Sequence, residues 1–426
     1  MRIRYLVLGL LVLLSVVTYM DRVCISVAAP RIREEFGISP EHWGFVLGAF
    51  TLAYGAFEIP SGACGDRFGE RRMLTRIVVW WSAFTVLTGL ASGFAVLVVT
   101  RFLFGVGEAG AYPNAAGSIR RWFPMAERAR AQGFVWGASR VGGALTPIVV
   151  VPLMLALGWR TVFFLFGAVG LVWAIVWWAW YGDRPAEHAA VTSAELAEID
   201  CGRQSADQVA VPWGMLFRNP QMWLIMAMYA CYACGPTFFI AHLPDYLIEG
   251  RGLSEKQMAR FAGLPFVAGA IGNLVGGYIS DRWSERYGKR FGRGILGAAC
   301  LALAALLLGA AAIVSDPFAT AAILTVAFGV LDCMLPCAWA LCLDIGGSRS
   351  GAVSGAMNSA GQAGGFLCNV LFGYLIAWYG DYSVPLLVIA FMVMASSVLF
   401  LMIDPTRPLV PPGGPAADKE LECASA

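Results

Sequence analysis

Residues 62–72 read GACGDRFGERR, and residues 277–290 read GYISDRWSERYGKR. In both, a glycine stands four positions ahead of an Asp-Arg pair: Gly62 before Asp66-Arg67, and Gly277 before Asp281-Arg282. In both, an apolar run precedes the string and further basic residues follow it. A generic basic loop has no reason to repeat its spacing in the other half of a chain.

Composition says where these halves reside. The chain has 426 residues, 58% hydrophobic and only 14% charged, with a mean hydropathy of +0.68. Soluble domains are nearer a quarter charged, so this is a membrane protein. The formal net charge of +2 offers no basic surface to nucleic acid. Most of the eleven cysteines lie in apolar runs. Cys231 and Cys234 have C-x-x-C spacing but no strand context, and read as small packing residues rather than metal or redox groups. No cofactor or metal is called for. No nucleophile–base pair stands outside the apolar runs, so an enzyme is not expected.

A membrane helix needs about 20 mostly apolar residues. Twelve spans are read, at 5–30, 42–64, 73–92, 94–119, 128–156, 159–181, 220–247, 257–280, 294–314, 317–344, 351–377 and 383–403. Arg2 and Arg4 ahead of the first run resemble a signal peptide, with Ser26-Val27-Ala28 as a mock cleavage site. The run is too long for a removable signal and is read as the first span. A polar stretch opening at Gly182-Asp183-Arg184-Pro185 separates six spans from six. The expected organisation is an all-α membrane protein of two pseudo-symmetric six-helix bundles, 1–181 and 220–403. A cytoplasmic linker over 182–219 joins them, and 404–426 forms a disordered cytoplasmic tail. With the N-terminus inside, about 21 basic residues fall on the cytoplasmic side against about 6 outside. Both termini are therefore expected in the cytoplasm.

Charges inside the spans carry the functional reading. An ionised group at mid-bilayer costs about 2.5–3.5 kcal/mol even on the lenient insertion scale. Span one contains Thr18-Tyr19-Met20-Asp21-Arg22, and Asp21 and Arg22 are read as cavity residues. Span four contains Arg101 and Glu108, seven positions apart, or about 10.5 Å along one helix face. The G-x-G-x-x-G over residues 105–110 follows no strand, so it is not a dinucleotide site. Its glycines suit close helix contact and bending, and Pro113 adds a kink. Arg140 in span five is a third anion contact or a partner of Glu58, Asp332 or Asp344. Tyr54 suits hydrogen bonds to substrate hydroxyls. Asn358 and Gln362, one turn apart in span eleven, suit polyol recognition or helix–helix contact.

Two parallel six-helix halves joined by a long linker match the major facilitator arrangement, and the G-x-x-x-D-R-x-G-x-R-R string resembles that superfamily's signature after its second helix. It implies a cytoplasmic charge clamp made of Asp66, Arg67, Arg71, Asp281 and Arg282. Tyr19-Met20-Asp21-Arg22, the Arg101…Glu108-Ala109…Pro113 spacing, Arg120-Arg121-Trp122-Phe123-Pro124 and Asp183–His188 together resemble the anion:cation symporter family. That family includes bacterial sugar-acid transporters and vesicular glutamate and sialic acid transporters. The resemblance implies proton-coupled symport of a small organic anion. It implies proton-carrying roles for Asp21 and Glu108, and roles for Arg22 and Arg101 at the substrate carboxylate and the proton site. Glu58 stands where relatives are expected to carry an uncharged polar residue. It reads as a third titrating group or a structural partner. His242 and Asp245 also depart from the pattern, as outer-gate contacts or as a solvated helix end.

The chemistry agrees with the resemblance. A guanidinium binds a carboxylate bidentately. Burial disfavours the charged form of a carboxyl group, whereas a neighbouring guanidinium favours it, so protonation can follow conformation. Moving one negative charge inward against an inside-negative potential costs about 2.3 kcal/mol per 100 mV. One proton cancels that cost for a monoanion and a second makes voltage drive uptake, so more than one proton per anion is expected. The expected cargo is a sugar acid (a hexonate, hexuronate or aldarate), carried by a monomer in a bacterial inner membrane. Two other classes compete. A proton-driven drug exporter would favour a less basic cavity and a clearer glycine-proline pattern than Gly142–Pro147. A passive uniporter or channel would not accumulate its substrate.

Overall fold

The structure is a computed structural model, and it describes residues 2–200, 213–346, 350–407 and 409. Twelve helical segments cross it, matching the twelve spans read from sequence. In the first half they are α1 Ile3–Phe36, α2 Pro40–Phe68, α3 Glu70–Gly89, α4 Phe94–Trp122, α5 Met125–Leu157 and α6 Trp159–Trp180. In the second they are α7 Pro220–Gly250, α8 Glu255–Tyr287, α9 Arg290–Ile313, α10 Pro317–Gly346, α11 Ser350–Tyr379 and α12 Ser383–Met402. Among the described residues, ten of these are long and apolar enough to cross a bilayer. The other two, α2 and α3, hold the basic string and its flanking acids.

Local chemistry sets the ends. Pro40, Pro220 and Pro317 open their helices, where a missing N–H costs nothing. Asn219 caps α7 by accepting from Gln221 N at 3.0 Å, and Ser254 with Gln257 forms a capping box on α8. Helix α1 runs six residues beyond Pro30, where the sequence reading stopped. It ends only at Gly37, whose φ of 62° is the left-handed conformation that glycine takes most readily.

The two halves pack by one plan. Helix α1 lies on α5, α2 on α4 and α3 on α6; in the second half α7 lies on α11, α8 on α10 and α9 on α12. Between halves, α2 packs on α11 and α5 on α8, which is the same contact made twice. The doubled Asp-Arg string is the sequence trace of that symmetry. Large apolar side chains face outward, including Leu274, Ile313 and Trp378. In a bilayer this surface needs no further cover.

The linker is attached to α1. Glu195, on a short helix Ser193–Asp200, accepts the Ile3 and Arg4 N–H groups at 3.1 and 3.0 Å. It satisfies two of the unpaired donors that open a helix and sits at the positive end of its dipole. Arg4 adds contacts to Glu127 and Glu198 at 3.2 and 3.0 Å. Residues 201–212 of the linker, and most of the expected tail, lie outside the described residues.

Candidate functional site

A cavity of about 1120 Å³ lies between the halves, lined by α1, α2, α4 and α5 on one side and α7, α8, α10 and α11 on the other. Arg130, Gln132, Gly133 and Phe134, near the start of α5, mark its mouth. The cavity therefore opens toward the face that carries the N-terminus. Its far end is sealed. Thr51 Oγ1 accepts from Asn369 Nδ2 at 3.1 Å, and Asn369 Oδ1 lies 2.9 Å from His242 Nε2. Beyond this roof, Arg33 binds Asp245 at 2.7 Å and Glu249 at 3.4 Å, and Arg31 forms a two-pronged pair with Glu255 at 3.0 and 2.9 Å. These pairs join α1 to α7 and α8. His242 and Asp245 are both buried, so the solvated-helix-end alternative is corrected: α7 continues past them through two wider turns, Phe238–His242 and Tyr246–Gly250.

Breaking this seal should open the far side. Arg33→Gln leaves the Asp245 carboxylate buried without its cation, which destabilises the closed arrangement. Spin labels at His42 and Asp381, both exposed on that side, are expected to show a longer separation in the variant than in the parent. An unchanged distance distribution would reduce the pair to decoration.

Arg22 and Arg101 both line the cavity. The Arg22 guanidinium is hydrogen-bonded to the buried carboxylate of Glu108. It also lies 4.5 Å from the Tyr54 ring centre, 5.4 Å from Tyr19, 5.3 Å from Phe50 and 6.0 Å from Tyr112. Aromatic faces attract a cation without neutralising it. Arg101 sits over Phe104 and Phe50 at 4.3 and 5.2 Å, and its Nε has no hydrogen-bond partner. No carboxylate lies within ion-pair distance of it among the described residues.

Glu108 does not line the cavity; Arg22 stands between. Asp21 is also off the cavity wall, contrary to the reading that placed it there with Arg22. It is buried, and neither of its oxygens has a hydrogen-bond partner. Asp21 points about 100° round the helix from Arg22, away from the cavity wall.

Tyr19, Tyr54, Asn358, Gln362 and Arg140 all line the cavity. Of the partners considered for Arg140, the structure selects Asp332 on α10, with Nε–Oδ2 at 2.8 Å and a second contact at 3.0 Å. Asn358 donates to Glu58 at 2.6 Å, so it is already engaged. Tyr112 was missed. It lies just past the break in α4 after Glu108, bonds Ser15 at 3.0 Å and stacks on Trp136 at 4.5 Å; nothing in its spacing marked it. Asn369 stood out as a polar residue of span eleven beside Asn358 and Gln362 without a role assigned; Thr51, Arg31, Arg33, Glu249 and Glu255 carried no signal.

On the face bearing the N-terminus, Asp281 pairs with Arg293 at 2.8 Å, and Arg282 bonds the Tyr278 hydroxyl at 2.8 Å. Arg71 donates its backbone N–H to Asp183 at 2.9 Å and its side chain to Trp178 O. Arg67 lies over Phe68 at 5.2 Å. The Asp66 side chain falls outside what is described.

Comparison with known proteins matches this architecture. Residues 11–368 match the Major Facilitator Superfamily. A probable sulfoacetate transporter of Cupriavidus necator is 37% identical over 94% of both chains. A probable L-galactonate transporter of Escherichia coli is 36% identical over 66% of this chain and 62% of its own. A hexuronate transporter of Bacillus subtilis is 29% identical over 95% of both. In structure, a bacterial homolog of the human lysosomal transporter Spinster, solved inward-facing and unoccupied, aligns with a TM-score of 0.77. It covers 94% of this chain and 96% of its own at 19% identity, a likeness of fold. The chain belongs to the Major Facilitator Superfamily: it is a multi-pass membrane transporter and not an enzyme.

Proposed function

We propose that this transporter imports a small organic anion together with protons, by alternating access. One observation carries the reading. Two guanidinium groups, Arg22 and Arg101, face one cavity between the halves, and Arg101 has no acidic partner there. A guanidinium without an ion-pair partner on the wall of a pocket within the membrane is a seat for a carboxylate or sulfonate, with Glu108 and Asp21 acting on it only at longer range.

The proton sites proposed are Asp21 and Glu108. Glu108 competes with the cargo for Arg22. Asp21 is buried with no hydrogen-bond donor, a setting suited to a proton-bearing carboxyl group. Residues 1–181 and 220–403 act as the two rocking bodies, with both termini in the cytoplasm of a bacterial cell and the cavity facing inward. The charge clusters around Arg67, Arg71, Asp281 and Arg282 serve as the inner clamp. A single chain completes the cavity, so a monomer suffices.

The proposed cargo is a sugar acid, with Gln362, Tyr54 and Tyr19 reading its hydroxyls. A second reading, a short sulfonated acid, is favoured by the 37% identity to the probable sulfoacetate transporter. Uptake into proteoliposomes of hexonates, hexuronates, aldarates and short sulfonates, with and without an imposed proton gradient, separates them. Glu108→Gln is expected to lose gradient-driven accumulation while retaining exchange of cargo across the membrane. Accumulation by this variant equal to the parent's removes Glu108 from the proton path. Electroneutral uptake of a monoanion, indifferent to membrane potential, excludes a stoichiometry above one.

A further inference from the structure

Position 58 places a carboxylate on the cavity wall, one turn of α2 from Tyr54. Helix α2 runs from the sealed roof at Thr51 toward the mouth, so Glu58 lies about 6 Å nearer the mouth than Tyr54. The Tyr54 ring is the one on which the Arg22 guanidinium rests. The cavity is thus two-signed: cations at depth, an anion closer to the opening.

Glu58 Oε2 accepts one hydrogen bond, from Asn358 Nδ2 of the opposite half at 2.6 Å. A carboxylate offers about four acceptor positions. No arginine, lysine or histidine lies within ion-pair distance of Glu58 among the described residues. Asn358 fixes the direction of the group without neutralising it. A half-buried acceptor on a substrate cavity, held still and without an ion pair, is built to receive a hydrogen; Arg22 acts on it only from beyond ion-pair distance.

We propose that Glu58 determines specificity: it accepts a hydrogen from a hydroxyl or ammonium group of a cargo whose single anionic group lies on Arg22 and Arg101, and its charge turns away a cargo with a second anionic group. The favoured class is a hydroxylated or amino-bearing monoanion; the disfavoured class is the matching dianion. The proposal rests on the anion site described under the proposed function. Asn358 is a positioning residue, since its amide orients Glu58.

The test uses the full chain in proteoliposomes under an inward proton gradient. Gluconate, its dicarboxylate counterpart glucarate, and 6-amino-6-deoxygluconate share six carbons and differ only in the group at C6. A two-carbon sulfonate ending in a hydroxyl is compared with one ending in a carboxylate. The parent is expected to prefer the monoanion of each transported pair by about 10- to 100-fold in uptake efficiency, the scale of one charged hydrogen bond. Glu58→Gln is expected to bring that ratio within about threefold, by gaining on the dianion as well as losing on the monoanion, and Glu58→Asp to restore part of it. The amino acid arm tells an ammonium from a hydroxyl donor. Equal loss on both members of a pair, or an unchanged ratio, overturns the role of Glu58 while leaving anion transport standing. A parent that takes up no member of either pair overturns the anion-import reading itself, and this proposal with it.

Discussion

Arg22→Ala is expected to abolish uptake, lowering it by at least about 100-fold, because the cargo loses a cation and Glu108 loses its partner. Removing one member of a buried ion pair costs about 3–5 kcal/mol, much of it from the charge left behind. The variant should therefore melt lower as well as transport poorly. The double variant Arg22→Ala with Glu108→Gln tells the two effects apart. It is expected to recover the melting temperature, since no buried charge is stranded, and to lack the cargo exchange that Glu108→Gln alone retains. Arg22→Lys keeps the charge but not the planar fork or its fit against four aromatic rings, and should recover only a fraction of uptake. Exchange by the double variant equal to that of Glu108→Gln would show that Arg22 serves the fold and not the cargo.

Gly272→Leu is expected to be the most damaging structural change. Gly269, Gly272 and Gly276 form one face of α8 against α10. A Cβ on Gly272 would strike the backbone carbonyl of Gly329, and one on Gly276 would come within 2.7 Å of Cys333 Cα. Backbone cannot swing aside as a side chain can. Overpacking costs about 1–3 kcal/mol where neighbours relax, and more where they cannot. The detergent-solubilised variant should melt about 5 °C or more below the parent, or fail to be recovered as a single species. Gly309→Leu is the control, since nothing lies within 4 Å of its new Cβ. Equal melting of the two variants would show that the α8–α10 contact is looser than its geometry.

The helices were legible because their signal is local. Apolar length marks a span wherever it occurs, and the doubled Asp-Arg spacing marked the symmetry. Arg22 and Arg101 were legible for a related reason: a cation in hydrocarbon must face water or a partner. Choosing among partners was not possible. Arg140 had three candidate acids, and Asp332 won because the Arg140 side chain reaches it across the two halves, a fact absent from either helix. Asp21 was misplaced because sequence adjacency to Arg22 did not settle which way its own side chain points. The Arg33–Asp245 seal and the Glu195 cap escaped notice for the same reason as Asp332. Each joins residues about two hundred positions apart, and neither side alone looks unusual.

The bend in α4 was expected at Pro113. It falls instead at Ala109–Gly110, where Gly110 takes a φ of 89° and a new helical segment starts at Ala111. Pro113 then sits in that segment's first turn, where its missing N–H is harmless. The residue before the joint is Glu108, and the one just after the new segment's start is Tyr112, pressed on Trp136. A single proton arriving at Glu108 would thus land on an elbow. The break puts Glu108 and Tyr112 on two separate helical segments, so on the proposed proton role of Glu108 a change of one unit charge would fall at the joint between them.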